Sequence, residues 1–257
     1  MNKMKVSIVQ QDIVWENTSE NLKKLDVLLQ EVPADSGLVI LPEMFHCGFT
    51  MSPEKVAEQE NGAVMHWMVE KAAWMNVVLM GSIVLKTEDG YLNRLCAVQP
   101  DRTVVTYDKR HLFRMGGEHN HYIQGEERVS FNVGEIRIKP LICYDLRFPV
   151  WSRNTDDYDV LIYVANWPDT RRDVWQTLLK ARALENQCYV IGVNRVGKDH
   201  ANEYAGDSVV IDSRGVTLLE FDPYQEGVGT TELDLSVLED FRQKFPVWQD
   251  RDDFTIH

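Results

Sequence analysis

The chain has 257 residues, of which 44% are hydrophobic and 26% are charged, and this balance excludes a disordered or collagen-like protein. The length is compatible with one large α/β domain or with two small ones. A formal net charge of −13 argues against nucleic-acid binding, because a phosphate backbone demands a basic surface. An acidic substrate therefore needs a local cationic pocket on this protein.

The sequence also limits the compartment of the protein. No uninterrupted apolar run approaches the roughly 20 residues that cross a bilayer, and the first ten residues lack the pattern of a signal peptide. We therefore expect a cytoplasmic protein without a membrane partner, in a compartment where thiols stay reduced. The four cysteines are widely spaced and predict neither a disulfide framework nor a cysteine-ligated zinc site.

Short apolar runs alternate with longer amphipathic ones in the first half of the chain. Helices are predicted over residues 18–31, with Thr18 and Ser19 as caps, and over residues 62–76. Asp89-Gly90 predicts a hairpin turn. Strands are predicted over residues 5–10, 38–41, 77–85, 92–98, 103–107, 129–133 and 135–143.

The second half repeats the strand–helix–strand–strand order of the first. It predicts one helix over residues 173–187. Four strands are predicted over residues 159–165, 189–193, 208–211 and 216–221. This repeat indicates two sheets, each covered by helices on its outer side. No Pro-, Gly- or Ser-rich linker separates the halves, so we interpret residues 1–257 as a single domain. A short helix followed by Trp248 is expected within the tail, residues 236–257, and such an aromatic end predicts a subunit interface.

Three reactive side chains each follow an extended run. Cys143 ends an apolar run, Glu43 ends Leu38-Val-Ile-Leu-Pro-Glu43, and Lys109 follows Val104-Val-Thr-Tyr-Asp108. Open α/β sheets place their reactive groups at the carboxyl ends of strands. A thiol attacks a carbonyl as thiolate and needs a base, and Glu43 ends an apolar strand whereas none of the seven histidines does. Covalent acyl transfer is therefore predicted, with Lys109 and the backbone N–H of Tyr144 stabilising the oxyanion.

Each of these three residues also has a purely structural interpretation. A cysteine on an apolar strand is commonly a small core residue, as we expect for Cys96 and Cys188. Glu43 then marks a strand end turning into solvent, and Lys109 lies in a solvated loop. The coincidence of glutamate, lysine and cysteine in this order favours an enzyme.

The surrounding motifs resemble the nitrilase, or carbon–nitrogen hydrolase, family over nearly the whole chain. They are Leu41-Pro-Glu-Met-Phe45, Tyr107-Asp-Lys-Arg-His-Leu-Phe113, Ile142-Cys-Tyr-Asp-Leu-Arg-Phe-Pro149, Val164-Ala-Asn-Trp-Pro168 and Trp175-Gln-Thr-Leu-Leu-Lys-Ala-Arg-Ala-Leu-Glu-Asn186. The resemblance implies a four-layer α-β-β-α sandwich, a homodimer or larger homo-oligomer, and a catalytic triad of Glu43, Lys109 and Cys143. It also implies a second glutamate that positions substrate and lysine, for which Glu118 is the best match. The reaction scheme assigns no role to a metal or an organic cofactor.

Two further tracts resemble the omega-amidase branch of this family, Met115-Gly-Gly-Glu-His-Asn-His-Tyr122 and Phe245-Pro-Val-Trp248. Members of this branch hydrolyse the side-chain amide of 2-oxoglutaramate or 2-oxosuccinamate. The resemblance therefore implies release of ammonia and a dicarboxylate through a cysteinyl thioester.

Such a substrate carries a free carboxylate, which favours a cation that can bind both oxygens. Arg147, Arg171 and Arg172 are the candidates, although Arg147 is equally compatible with an ion pair to Asp145. Asn166, Trp167 and Phe45 are further candidates for substrate binding. The two aromatic residues are also compatible with core packing.

Three other interpretations stay open. His111, His119 and His121 lie close together in sequence and His-x-His can bind zinc, although a polar loop explains them as well. A fold does not establish activity, so a binding protein that retains the triad is an alternative. Within the family, a nitrilase and hydrolases of N-carbamoyl amino acids or aliphatic amides use the same triad.

Overall fold

The computed structural model describes residues 2–256, which build two six-stranded mixed sheets flanked by helices. The α-helices are α1 (Thr18–Leu28), α2 (Ala63–Met75), α3 (Pro149–Ser152), α4 (Arg172–Asn186) and α5 (Leu235–Lys244). The strands are β1 (Lys3–Gln10), β2 (Ser36–Ile40), β3 (Val78–Lys86), β4 (Tyr91–Val98), β5 (Val104–Asp108), β6 (Phe131–Val133), β7 (Ile136–Ile142), β8 (Val160–Ala165), β9 (Tyr189–Asn194), β10 (Val196–Lys198), β11 (Glu203–Ala205), β12 (Val209–Ile211), β13 (Thr217–Glu220) and β14 (Gly227–Asp234).

The two large sheets have the same internal plan. The first has the strand order β14-β1-β2-β3-β4-β5 and the second β13-β12-β9-β8-β7-β6, while β10 and β11 form a separate hairpin. In each large sheet three central strands run parallel, β1-β2-β3 and β7-β8-β9, and the outer strands pair antiparallel. The predicted sandwich of two sheets flanked by helices is therefore confirmed.

Alternation along the strands creates two apolar layers. Leu38 and Ile40 of β2 enter the core that the two sheets share, whereas Val39 and the following Leu41 face the layer formed with α1 and α2. On the other side of the molecule α4 covers the second sheet, and Trp175 is completely buried there. Burying a side chain of this size stabilises the fold by about 1.5–3 kcal/mol.

Some boundaries differ from those that the sequence predicts. Helix α1 is capped by Asn17, whose side chain accepts a hydrogen bond from the backbone N–H of Glu20 at 3.2 Å, so the expected caps Thr18 and Ser19 already lie inside the helix. The sequence reading missed β14, which pairs antiparallel with β1. Its residues Gly227-Val-Gly-Thr-Thr-Glu-Leu-Asp234 contain no apolar run, and their strand conformation depends on that edge pairing.

The tail leaves several aromatic side chains in solvent. Phe245, Trp248 and Phe254 are 60%, 43% and 41% exposed, while Arg242 anchors α5 through an ion pair of 2.7 Å to Asp159. The subunit interface expected at the tail stays a prediction. The last residue of the tail, His257, lies outside the described part of the chain. Among residues 2–256, no α-helix has both the length and the apolar character of a membrane span.

Candidate active site

The three predicted catalytic residues meet at the ends of different strands. Cys143 follows β7 directly, Lys109 follows β5 directly, and Glu43 lies three positions beyond the end of β2. Because β2 and β7 belong to different sheets, the site forms where the two halves of the sandwich face each other. The structure therefore brings together side chains that are up to 100 positions apart in sequence.

Lys109 joins two carboxylates in the interior. Its Nζ lies 2.9 Å from Oε1 of Glu43 and 3.0 Å from Oε1 of Glu118, and all three side chains are at most 1% exposed. The second oxygen of Glu118 accepts a hydrogen bond from the backbone N–H of Phe113 at 2.6 Å. Glu118 thus contacts Lys109, and its role in positioning substrate and lysine stays a prediction.

Two asparagines fix the Glu43 carboxylate. The side chain of Asn93 donates to Oε1 at 2.8 Å, and the backbone N–H of Asn166 donates to Oε2 at 2.8 Å. The Asn166 side chain also donates to the Glu43 carbonyl at 2.6 Å, and Ser82 orients Asn93 through a hydrogen bond of 2.8 Å. Sequence reasoning missed Asn93. The sequence shows only an amide within the apolar strand β4, and the structure buries that side chain completely.

The backbone at Cys143 is held in an unusual conformation. Its φ angle is +46°, in the left-handed region that side chains other than glycine rarely adopt. Cys143 begins a 3₁₀ turn that extends to Arg147, and the Asp145 carboxylate closes this turn by accepting the N–H of Ile142 at 3.0 Å. Cys143 is the partly exposed cysteine, whereas Cys47, Cys96 and Cys188 are buried. Strain of this kind is a common feature of functional sites.

Electrostatics keep the resting thiol protonated. Burial raises the pKa of Cys143 well above its ordinary value, and the contacting Glu43 carboxylate adds to this increase while Lys109 opposes it. Burial alone lowers the pKa of Lys109, but the nearby Glu118 and Glu43 carboxylates outweigh this effect and raise it. Burial raises the pKa of Glu118, although Lys109 opposes that shift. The site therefore holds a neutral thiol next to a charged ammonium.

Cys143 and Lys109 line a cavity of about 550 Å³. Aromatic side chains form part of its wall, including Phe49, Phe113 and Trp167. The Phe49 ring lies 4.9 Å below the Lys109 ammonium, measured to the ring centroid. This volume suits a small organic molecule that reaches the thiol from one side.

Comparisons with known proteins give the family of the chain. The sequence profile of the carbon–nitrogen hydrolase family matches residues 5–243. The chain belongs to the carbon–nitrogen hydrolase family. It is 46% identical to omega-amidase YafV of Escherichia coli K12 over 100% of both chains, and 34% identical to 2-oxoglutaramate amidase of Bacillus subtilis over 96% and 97% of the two chains.

A solved structure extends this likeness to three dimensions. The crystal structure of XC1258 from Xanthomonas campestris, a carbon–nitrogen hydrolase superfamily protein, superposes with a TM-score of 0.97 at 42% identity over 100% of both chains. Because the chain belongs to this family and has omega-amidases among its relatives, it is an enzyme that hydrolyses amides.

Two of the three arginine candidates of this carbon–nitrogen hydrolase face the cavity. Arg147 stacks on Trp167 and Arg171 on Phe113, each with its guanidinium carbon 5.4 Å from the ring centroid. Neither guanidinium has an ion-pair partner among residues 2–256, so the possible pairing of Arg147 with Asp145 does not form. Arg172 instead binds Asp207 at 2.7 Å with its guanidinium, outside the cavity lining.

Some of the remaining substrate-binding candidates line the cavity and one does not. Asn166, Trp167 and the residue after Cys143, Tyr144, line the cavity. Phe45 does not, which corrects the expectation that it walls the acyl pocket. It is completely buried in the apolar layer between the first sheet and α2, with its ring 5.9 Å from that of Trp67.

The three clustered histidines are separated in this hydrolase. His111 forms a hydrogen bond of 2.7 Å with Asp145 and stacks on Phe148, while His119 and His121 are exposed. In the described part of the chain, no group of three His, Cys, Asp or Glu side chains is arranged to hold a metal ion.

Proposed function

We propose that this enzyme hydrolyses the side-chain amide of a small 2-oxo dicarboxylic acid monoamide such as 2-oxoglutaramate, through a cysteinyl thioester. The observation that carries this proposal is the pair of guanidinium groups, Arg147 and Arg171, that have no ion-pair partner among residues 2–256 and line the cavity that contains Cys143. A monoamide of a dicarboxylic acid presents an amide to the thiol and a carboxylate to these cations. The names of the relatives, omega-amidase and 2-oxoglutaramate amidase, support the same substrate class.

Glu43 is the general base of the proposed acylation step. It contacts the thiol and takes the Cys143 proton as sulfur attacks the amide carbon, so no free thiolate accumulates beforehand. Negative charge then develops on the amide oxygen. Lys109 and the backbone N–H of Tyr144 stabilise that oxyanion, because both are fixed before the reaction begins.

Collapse of the tetrahedral intermediate breaks the C–N bond. Glu43 returns the proton to the departing nitrogen, which leaves as ammonia, and the acyl group stays on Cys143 as a thioester. Glu43 then takes a proton from a water molecule whose oxygen attacks the thioester. The C–S bond breaks, Glu43 returns this proton to the sulfur of Cys143, and the dicarboxylate is released. Glu118 keeps Lys109 in place throughout these steps, through the ion pair of 3.0 Å.

Substrate selectivity tests this proposal most directly. Ammonia release is measured with 2-oxoglutaramate, 2-oxosuccinamate, an N-carbamoyl amino acid, a neutral aliphatic amide and a nitrile. We expect the two oxo-acid amides to have the highest kcat/KM values. Equal or faster turnover of the nitrile, the carbamoyl compound or the neutral amide contradicts the assignment.

We further propose that the enzyme works in the cytoplasm as a homodimer or larger homo-oligomer. The four cysteines are free, as expected in a reducing compartment. The tail leaves three aromatic side chains exposed, Phe245, Trp248 and Phe254, and such apolar groups suit contact with a second copy. Sedimentation of the wild-type protein and of Trp248→Glu tests this assembly, and a wild-type monomer overturns it.

A further inference from the structure

A buried carboxylate links the nucleophile turn to the segment that carries the lysine. Asp145 lies two positions after Cys143 and is completely buried. Its Oδ2 accepts from the Tyr107 hydroxyl at 2.8 Å, and its Oδ1 accepts from the His111 backbone N–H at 2.9 Å. Tyr107 and His111 lie two positions before and two positions after Lys109. Asp145 therefore binds the Lys109 segment on both sides.

The same carboxylate also shapes the turn at the thiol. Its Oδ2 accepts the Ile142 N–H at 3.0 Å, immediately before the strained Cys143, and its Oδ1 contacts His111 Nδ1 at 2.7 Å. No lysine or arginine pairs with Asp145 among residues 2–256. A buried carboxylate is costly unless hydrogen bonds satisfy its oxygens. These four contacts meet that requirement and make the arrangement rigid.

We propose that Asp145 is a positioning residue, which fixes the Cys143 turn relative to Lys109 so that the thiol and both oxyanion donors converge on one acyl carbon. The proposal rests on the proposed function in taking Cys143 as the nucleophile and Lys109 and the Tyr144 N–H as the oxyanion donors. Tyr144, whose N–H is one of these donors, lies within the turn that Asp145 closes. A small shift of this turn relative to Lys109 should lower kcat before it weakens substrate binding.

Variants at His111 can separate the effect of its hydrogen bond to Asp145 from the effect of its packing. Its ring donates to Asp145 and also stacks on Phe148, with centroids 3.8 Å apart and planes 7° apart. In His111→Asn the side-chain nitrogen retains a donor where Nδ1 stands, and most of the stacking is lost. In His111→Phe the stacking remains and the donor is lost. Tyr107→Phe removes the hydroxyl donor to the other oxygen of Asp145.

The experiment measures kcat, KM and the thermal midpoint Tm for these three variants with the best amide substrate. We expect His111→Phe and Tyr107→Phe to lower kcat about 10- to 100-fold, the effect of one hydrogen bond to a charged group, and to leave KM within about threefold. His111→Asn should retain a kcat clearly above that of His111→Phe. The two His111 variants are compared at equal fractions of folded protein.

Two outcomes overturn the positioning role. One is a His111→Phe enzyme with wild-type kcat, and the other is a His111→Asn enzyme that loses as much kcat as His111→Phe. Cys143→Ser separates this failure from a failure of the proposed function. If Cys143→Ser retains activity, the thiol mechanism is wrong. If Cys143→Ser is inactive while His111→Phe is unaffected, only the role of Asp145 is wrong.

Discussion

Asn93 donates a hydrogen bond of 2.8 Å to Oε1 of Glu43, the same oxygen that accepts the Lys109 ammonium at 2.9 Å. Asn93 also holds the backbone of the lysine, because its carbonyl accepts the Lys109 N–H at 3.0 Å. One residue of β4 thus contacts Glu43, the proposed base, through its side chain and Lys109, the proposed oxyanion donor, through its main chain. This relationship suits Asn93 to position both groups.

Replacing Asn93 with leucine should lower kcat while the fold is retained. The variant keeps a similar side-chain volume but removes one of the two side-chain donors to Oε1 of Glu43 and leaves Lys109 as the other. Hydrogen bonds to charged groups contribute about 1.5–3 kcal/mol. We expect a loss of about 10- to 100-fold in kcat. Steady-state ammonia release measures this loss. Ser82→Ala removes the hydrogen bond from the Ser82 hydroxyl to Asn93 and the one that this hydroxyl accepts from the Met44 N–H, but no contact to the Glu43 carboxylate, and should lose less. A larger loss in Ser82→Ala contradicts the interpretation.

Lys109→Met should have a larger effect than the loss of any one positioning contact. The variant removes an oxyanion donor, which typically costs about 10²- to 10³-fold in kcat. It also leaves the buried carboxylates of Glu43 and Glu118 without their shared cation, so Tm should fall. The exposed Lys23 offers a matched control, and Lys23→Met should retain wild-type activity. A loss of less than about tenfold in Lys109→Met argues against oxyanion stabilisation by the lysine.

The sequence predicts the triad because three polar side chains near strand ends occur together in the order glutamate, lysine, cysteine. Lys109 and Cys143 directly follow strands and Glu43 lies three positions beyond one, so strand ends determine their positions in the fold. Asn93 gives no such signal, since a buried amide within a strand has the same local sequence whether or not it faces a catalytic carboxylate. Its role depends on the pairing of β3 with β4 and on the approach of Glu43, which only the tertiary structure specifies.

Phe45 shows a different limit of sequence reasoning. It lies two positions after Glu43, and strand alternation would place both side chains on one face. The chain leaves the extended conformation between them, because Met44 has a φ angle of +45°. Phe45 therefore turns into the apolar layer against α2, where its ring fills the space above Gly81. Local backbone reversals of this kind are invisible to a pattern of apolar and polar residues.

The resting state of the nucleophile can be tested by titration. Burial and the Glu43 carboxylate raise the pKa of the Cys143 thiol, so thiolate absorbance at 240 nm should not appear below about pH 9 in the wild-type enzyme. Glu43→Gln removes a negative charge from beside the sulfur while Lys109 remains, and the pKa of the thiol should therefore fall. The same titration of Cys143→Ala provides the baseline for the other three cysteines. A wild-type thiolate already present at pH 7 would indicate a preformed thiolate–ammonium pair instead of general-base activation.

The two cavity arginines should control affinity for the carboxylate of the substrate. Arg147→Gln and Arg171→Gln each remove a guanidinium that has no counter-ion within the described residues 2–256, and a charged hydrogen bond of this kind contributes about 1.5–3 kcal/mol. We expect kcat/KM for 2-oxoglutaramate to fall about 10- to 100-fold, chiefly through KM, and that of a neutral aliphatic amide to stay within about threefold. The comparison of charged and neutral amides separates carboxylate recognition from damage to the triad.

Arg172→Gln is the matched control for these variants. Arg172 is adjacent in sequence to Arg171, but its guanidinium is bound to the nearly buried Asp207 and faces away from the cavity lining. Its loss leaves that carboxylate unpaired, so Tm should fall while KM for the charged amide stays unchanged. If Arg172→Gln raises KM as much as Arg171→Gln does, the effect comes from displacement of the 3₁₀ turn at residues 169–171 and carboxylate binding by Arg171 is contradicted.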